Sequence, residues 1–265
     1  MPSEFERNEV LRVLAHLHSV SMALRLRRTL LFTKIANELP EVYYYEKNCS
    51  WYKPYLQRAL EIDMDVLATD ESFCNSIYFE KFKKIASDDP YGQLMKLVTT
   101  RGEHAVFNHG DAWCPNFLCS ERRAVAIDFQ LLRVASPATD LSYFILLCGN
   151  SCRSRDDFVR AIDVYHSHLS FYLRDMNITV EEVFTKQTLC SELKTYGKFG
   201  LLAAATSIPL LASDRCDVLK AFESEYADLE RIPLEELWKL TPIEDNRAKE
   251  CLFNAVRVAV DVGLI

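Results

Sequence analysis

A chain of 265 residues, 49% hydrophobic and 26% charged, can bury one large core or two modest ones, and this composition excludes a disordered or fibrous protein. The net charge of -7 is spread without long like-sign runs, which argues against a general binder of nucleic acid or anionic membrane; the one compact basic cluster, Arg25, Arg27 and Arg28, reads as the solvated face of a helix. Nine cysteines, an odd number without a CxxC pair, fit reduced thiols and a cytoplasmic setting, and neither secretion nor membrane spanning is expected, since residues 1–10 lack a basic and an apolar region and no apolar run reaches membrane length.

Seven glycines are few for this length and predict a chain built of helices. Val10, Leu14, Leu17, Met22 and Leu24, continuing to Leu31 and Ile35, predict one long amphipathic helix ended by Pro40. A second opens at Ser50 and runs through Leu56, Leu60, Met64 and Leu67, with Pro54 in its first turn. The aromatic run Tyr43, Tyr44, Tyr45, Trp51, Tyr52 and Tyr55 reads first as core packing, and second as an apolar wall for a ligand.

Between about 104 and 129 the pattern changes to short β-prone stretches, 104–108 and 124–129. The span 116–128 reads as a hairpin with Ser120 to Arg123 at its tip, so that its ends bring Asn116 and Asp128 to one edge. Helical spacing returns after Pro137. Phe158, Ile162, Tyr165, Leu169 and Tyr172 share one face behind a capping box at Ser154 and Asp157. Thr179 and Glu182 predict a second capping box, followed by helices near 186–208, 214–230 and 244–262. With no repeat or linker, 1–265 reads as a single, mainly α domain with a small β-hairpin insert.

The chemistry concentrates in Asn108-His109-Gly110-Asp111-Ala112-Trp113-Cys114-Pro115-Asn116, followed by Asp128-Phe129-Gln130. A hydroxyl is a poor nucleophile, and a carboxylate beside it can orient it and accept its proton; Asp111 is the candidate base. The charge of a nucleotide triphosphate calls for magnesium, a cation that takes oxygen ligands, and Asn116 and Asp128 supply an amide oxygen and a carboxylate from adjacent strand ends. Asn116 follows Asp111 at the separation found in the protein-kinase pattern HRDxxxxN, and the hairpin then returns to a second Asp as in DFG.

The HGDxWxxN string, the DFQ, the segment Ser136-Pro137-Ala138-Thr139-Asp140-Leu141-Ser142-Tyr143-Phe144 and the early run from Leu14 to Leu24 together resemble the CHK kinase-like, or ecdysteroid kinase-like, family. That family belongs to the aminoglycoside phosphotransferase and choline kinase group, within the protein-kinase-like fold. The resemblance implies an ATP- and Mg2+-dependent kinase acting on a hydroxyl of a small molecule, an ecdysteroid or other lipophilic alcohol. It implies Asp111 as base, Asn116 and Asp128 as metal ligands, His109 as a brace of the loop, and Asp140 as the acceptor of hydrogen bonds from the loop backbone. The roles of Trp113 and Gln130 stay open. Gly110 replaces the arginine of protein kinases, which argues against control by activation-loop phosphorylation.

The same resemblance assigns the chain to the C-terminal lobe of that fold, with the catalytic loop and metal hairpin at 104–130 and an acceptor-binding helical part at 137–262. The N-terminal ATP-lid lobe, with its Gly-rich loop and strand lysine, has no counterpart before Asp111, so the expectation is an impaired enzyme; the alternative is a non-catalytic, ligand-binding or regulatory single-lobe protein. The pairs His16/His18 and His166/His168 point to opposite helix faces and read as structural or surface residues. Cys114 and Cys119 flank the loop without a neighbouring base and receive no function. The apolar and small residues between 198 and 211 are expected to pack under the catalytic loop and to touch the acceptor. Acceptor identity and oligomeric state are not encoded in these motifs.

Overall fold

The computed structural model describes residues 2–213 and 234–265, and the helix expected near 214–230 lies outside the described residues. The chain is mainly helical. Helix α1 (Glu4–Arg27) starts in a capping box in which Ser3 accepts from the Glu6 N–H and Glu6 accepts from the Ser3 N–H. Its buried stripe, Leu11, Leu14, Ala15, His18 and Met22, follows the helical period and includes one titratable side chain. The single long helix expected through Ile35 is instead two, because Arg28 leaves helical geometry (φ −139°) and α2 (Thr29–Glu38) sets off in a new direction. The break lets Phe32 and Ala36 of α2 pack on Ala105 and Val134, a small satellite of the main core.

A 3-10 turn, Glu46–Asn48, leads into α3 (Cys49–Ala68), so the helix begins one residue before Ser50. Pro54 therefore stands in the second turn rather than the first. Three shorter helices follow, α4 (Glu71–Cys74), α5 (Ile77–Ser87) and α6 (Pro90–Thr99), before the chain reaches its strands. Strand β1 (Val106–Asn108) leads to the loop; β2 (Phe117–Cys119) and β3 (Ala124–Ala126) form the expected hairpin, with Leu118 opposite Val125 and the Ser120 N–H closing the tip on the Arg123 carbonyl at 2.9 Å. The strand expected through Phe129 stops at Ala126, since Asp128 takes a left-handed conformation (φ 61°) and Phe129–Leu131 coils into a 3-10 turn. A fourth strand that the periodicity did not suggest, β4 (Arg133–Ala135), pairs antiparallel with β1 and sets Arg133 opposite Asn108.

Helix α7 (Pro137–Leu146) starts with Ser136 as N-cap and Pro137 in the first turn, and every one of its residues is buried. Against it lies α11 (Lys198–Ala212), separated at Gly197 from α10 (Lys186–Tyr196), so the helix expected over 186–208 is again two. Between them come α8 (Arg155–Asp175), opened by the expected Ser154/Asp157 capping box and packed on α1, and the one-turn α9 (Val180–Val183). Thr179 makes no side-chain cap; the capping hydroxyl in this region is Thr185, which accepts from the Thr188 N–H at 3.0 Å. The chain ends in α12 (Leu234–Leu237) and α13 (Asn246–Asp261), the latter capped by Asp245. Among the described residues no helix is long and apolar enough to cross a membrane.

The close approach of α7 and α11 depends on Gly200, where an added Cβ would run into the backbone of Ser142 and Tyr143. Both helices are walled in, so neither can retreat without opening the core. Gly200→Ala is expected to lower the unfolding free energy by about 1–3 kcal/mol, read as a lower midpoint at unchanged slope in urea denaturation.

Candidate functional site

The loop between β1 and β2 carries His109, Gly110 and Asp111, and its shape is set by one buried carboxylate. Asp140, in the first turn of α7, accepts the His109 N–H at 2.7 Å on Oδ2 and the Gly110 N–H at 3.0 Å on Oδ1. It is not the N-cap of that helix, a position held by Ser136. Behind it, His18 of α1 brings Nε2 to 3.2 Å from Asp140 Oδ2, while His18 Nδ1 lies 2.9 Å from the Tyr165 hydroxyl of α8. Burial pushes the Asp140 carboxyl up, but the hydrogen bond and charge of His18, with His109 and the Gly110 N–H, outweigh it and hold it below its ordinary value of 3.8. Gly110 adopts φ 83°, and a Cβ there would collide with the Leu131 carbonyl, so the loop passes the 3-10 turn after Asp128 at backbone contact.

His109 is fully buried between the rings of Phe117 (5.3 Å) and Phe129 (4.7 Å). Its Nε2 lies 2.9 Å from the Ile127 carbonyl and its Nδ1 takes the Asp111 N–H at 3.3 Å, a pair of partners that requires the neutral tautomer with the proton on Nε2. The imidazole thus ties the loop to the end of the hairpin. Its ring nitrogens are both engaged away from the cavity beside Asp111.

Asn116 closes the loop from the other side: its Nδ2 donates to the Asp111 carbonyl at 3.0 Å and to Asp111 Oδ2 at 2.8 Å. That leaves Asn116 Oδ1 and Asp111 Oδ1 without hydrogen bonds among the described residues. Asp128 is exposed at the hairpin's return, where the Ile127 N–H bonds to the Asn116 carbonyl at 2.9 Å, and its Oδ2 has only a long contact of 3.4 Å from Gln130 Nε2. The loop therefore presents an amide oxygen and a carboxylate on neighbouring backbone, a donor set suited to a hard cation. Among the described residues no group of three or more His, Cys, Asp or Glu could hold a metal by itself.

Burial raises Asp111 above the ordinary carboxylate value, against the pull of the Asn116 hydrogen bond and of the Arg133 charge. Asp111 opens into a cavity of about 60 Å³ whose wall includes Tyr43, Tyr44, Trp113, Phe199 and Trp238. Several phenols of this wall are anchored: Tyr55 donates to the Thr206 carbonyl at 3.0 Å, and Tyr143 and Ser207 share a hydrogen bond of 2.6 Å. The Tyr43 hydroxyl has no such partner among the described residues. The aromatic run is thus core and cavity wall at once, because Tyr44, Tyr52 and Tyr55 are buried yet turn one side to the cavity. Phe199, Ala203 and Thr206 of the 198–211 segment lie in the same wall. Cys114, its thiol pushed up to about 11 by burial, is no nucleophile at neutral pH.

Two members of the site escape a reading of the sequence. His18, taken as a structural or surface residue, holds the carboxylate that holds the loop; its place on the apolar stripe of α1 was the available signal, since a buried imidazole needs partners. Arg133 left no signal, because its burial beside the loop depends on the β1–β4 pairing.

These features define a mainly helical protein in which a clamped carboxylate loop, tied to a short hairpin, faces an aromatic cavity. The sequence model of the ecdysteroid kinase-like family matches residues 3–178, and the chain belongs to that family. No curated protein matches the sequence. Among solved structures, the chain is similar to choline kinase from Cryptosporidium parvum, with 14% identity and a TM-score of 0.39 over 99% of this chain and 67% of that one.

Removal of a buried charge that organises two backbone donors and a histidine leaves both donors and His18 Nε2 without their acceptor. Asp140→Ala is expected to cost about 3–5 kcal/mol at neutral pH in urea denaturation. Because Asp140 titrates below its ordinary value of 3.8 when folded, its contribution is complete above that value and is lost as pH falls through the folded one. Below about pH 4 the stability of the variant should therefore change less with pH than that of the parent chain.

Proposed function

We propose that this protein is an ATP- and Mg2+-dependent phosphotransferase that phosphorylates a hydroxyl group of a small molecule. The observation that carries this reading is Asp111, a carboxylate with one oxygen held by Asn116 and the other open toward an aromatic cavity, on a loop that runs against the hairpin's return to Asp128. In this reading an acceptor hydroxyl enters the cavity, hydrogen-bonds to Asp111 Oδ1, and gives up its proton there as its oxygen bonds to the terminal phosphorus of ATP and the bond from that phosphorus to the bridging oxygen breaks, releasing ADP. Asn116 Oδ1 and Asp128 would hold the magnesium, which when bound neutralises charge on the phosphates. His109 and Asp140 support the loop and touch no reacting atom.

The cavity is small, about 60 Å³, and in this reading the hydroxyl-bearing end of the acceptor is the part that reaches Asp111. The family name and the aromatic wall favour a lipophilic alcohol, with ecdysteroids the first class to try. We assign 2–213 and 234–265 to the C-terminal lobe of a kinase-like fold. Before Asp111 the described elements are helices and the single strand β1, none of which offers a Gly-rich lid or a strand lysine for phosphates. Turnover by this chain alone is accordingly expected to be weak, since positioning supplies most of the catalysis in phosphoryl transfer.

With Mg2+ and ATP, a panel of ecdysteroids and other alcohols should contain at least one acceptor that is phosphorylated, detected by mass of the product. Asp111→Asn should lower that rate by about 10²–10⁴-fold with little change in ATP binding. Asp128→Ala should weaken magnesium-dependent nucleotide binding in calorimetry while leaving the fold intact, because the side chain is exposed. An Asp111→Asn variant as active as the parent would remove the proposal.

A further inference from the structure

Arg133 is an uneconomical residue for a core. It is 4% exposed, its Nε lies 2.9 Å from Glu41 Oε2 without the alignment of a hydrogen bond, and Nη1 and Nη2 have no hydrogen-bond partner among the described residues. Its guanidinium carbon sits 5.3 Å from the centre of the Tyr44 ring and 5.8 Å from that of Phe199, two rings of the cavity wall. A buried ion pair of this kind gives a fold little that apolar side chains of the same volume would not. Its value therefore has to lie in what it holds in place.

Glu41 shows what that is. While Oε2 faces Arg133, Oε1 accepts the N–H groups of Tyr43 at 3.0 Å and Tyr44 at 3.1 Å, so a single carboxylate shapes the turn that presents both tyrosines. Tyr91 closes the same turn from the other side, donating to the Tyr43 and Tyr45 carbonyls at 3.0 and 2.7 Å. Arg133 in turn is fixed by the pairing of β4 with β1, directly opposite Asn108, the residue that leads into His109, Gly110 and Asp111. One chain of contacts thus runs from the loop strand through Arg133 and Glu41 to the Tyr43–Tyr44 wall. Wall and base meet again across the cavity.

We propose that Arg133 and Glu41 form a positioning pair that sets the distance and angle of the Tyr43–Tyr44 wall relative to Asp111, and thereby determines which acceptors reach the base. The proposal rests on the reading of that cavity as the acceptor site. Neither residue touches the reacting atoms; both act on the acceptor through the two tyrosines, while the Arg133 charge also reaches Asp111. The pair governs the acceptor side of the reaction and leaves the nucleotide side, at Asn116 and Asp128, unaffected.

All three tryptophans of the chain report on this region, Trp113 and Trp238 from the cavity wall and Trp51 from its contact with the Tyr43 ring at 5.6 Å. The test uses the full chain and the variants Glu41→Gln and Arg133→Met. Hydrogen exchange at residues 43–45 and acrylamide quenching of tryptophan emission read the wall directly; KM for the best alcohol of the panel and KM for ATP read its consequence. We expect exchange at 43–45 to accelerate at least about tenfold, quenching to increase, and acceptor KM to rise about tenfold with ATP KM unchanged. If Arg133→Met alone does not fold, the double variant Glu41→Gln/Arg133→Met, which buries no unpaired charge, should fold and show the same changes. Unchanged exchange and quenching would overturn the positioning pair whatever the kinetics, as would altered exchange with both KM values and acceptor preference unmoved. Altered exchange and quenching in a chain that phosphorylates no alcohol would support the pair as the organiser of the wall and count against the kinase reading alone.

Discussion

The carboxylate of Asp140 accepts two consecutive backbone N–H groups, and the rest of the site depends on that arrangement. The N–H groups of His109 and of the left-handed Gly110 have no backbone acceptor among the described residues. Asp140 supplies the missing acceptors from a helix that cannot move, because α7 is buried along its whole length and α11 lies against it at Gly200. His18 and Tyr165 add two helix-borne groups behind the carboxylate, so α1, α7 and α8 meet on one charge. The position of Asp111 is in this way a property of the core and not of the loop.

A second constraint acts from the hairpin. His109 bonds the Ile127 carbonyl and Asn116 bonds Asp111 twice, which couples the loop to both ends of β2–β3. The hairpin itself is short, three residues a strand, and has few cross-strand pairs with which to hold its register. Its ends are instead kept in place by the same buried histidine that keeps the loop. Loop, hairpin ends and cavity therefore form one connected unit, and the free oxygens of Asp111, Asn116 and Asp128 are those left over after its internal hydrogen bonds are made.

Local features were legible without a fold. The Asn116 to Asp128 hairpin follows from β-prone runs around a polar tip, the Ser154/Asp157 box marks the start of α8, and Asp111 with Asn116 stands out by spacing alone. Features decided by packing were misread. The 10–35 stretch has an unbroken apolar period, yet α2 turns away at Arg28 to cover Ala105 and Val134. Thr179 has the residues of a cap but no side-chain bond, and the 186–208 stretch divides at Gly197. Strand β4 is three residues long, too short for any period, and exists because β1 offers it an edge.

The sequence by itself determined the family, the helical character and the chemistry available between His109 and Asp128, since these depend on residue types at short separations. Only the tertiary structure decided that His18 stands behind Asp140, that Arg133 and Glu41 hold the tyrosine turn, and that a run of aromatic residues is both core and cavity wall. Such contacts join segments far apart in the chain. Their partners are chosen by where helices can pack at full density, and that choice is made by the whole core at once.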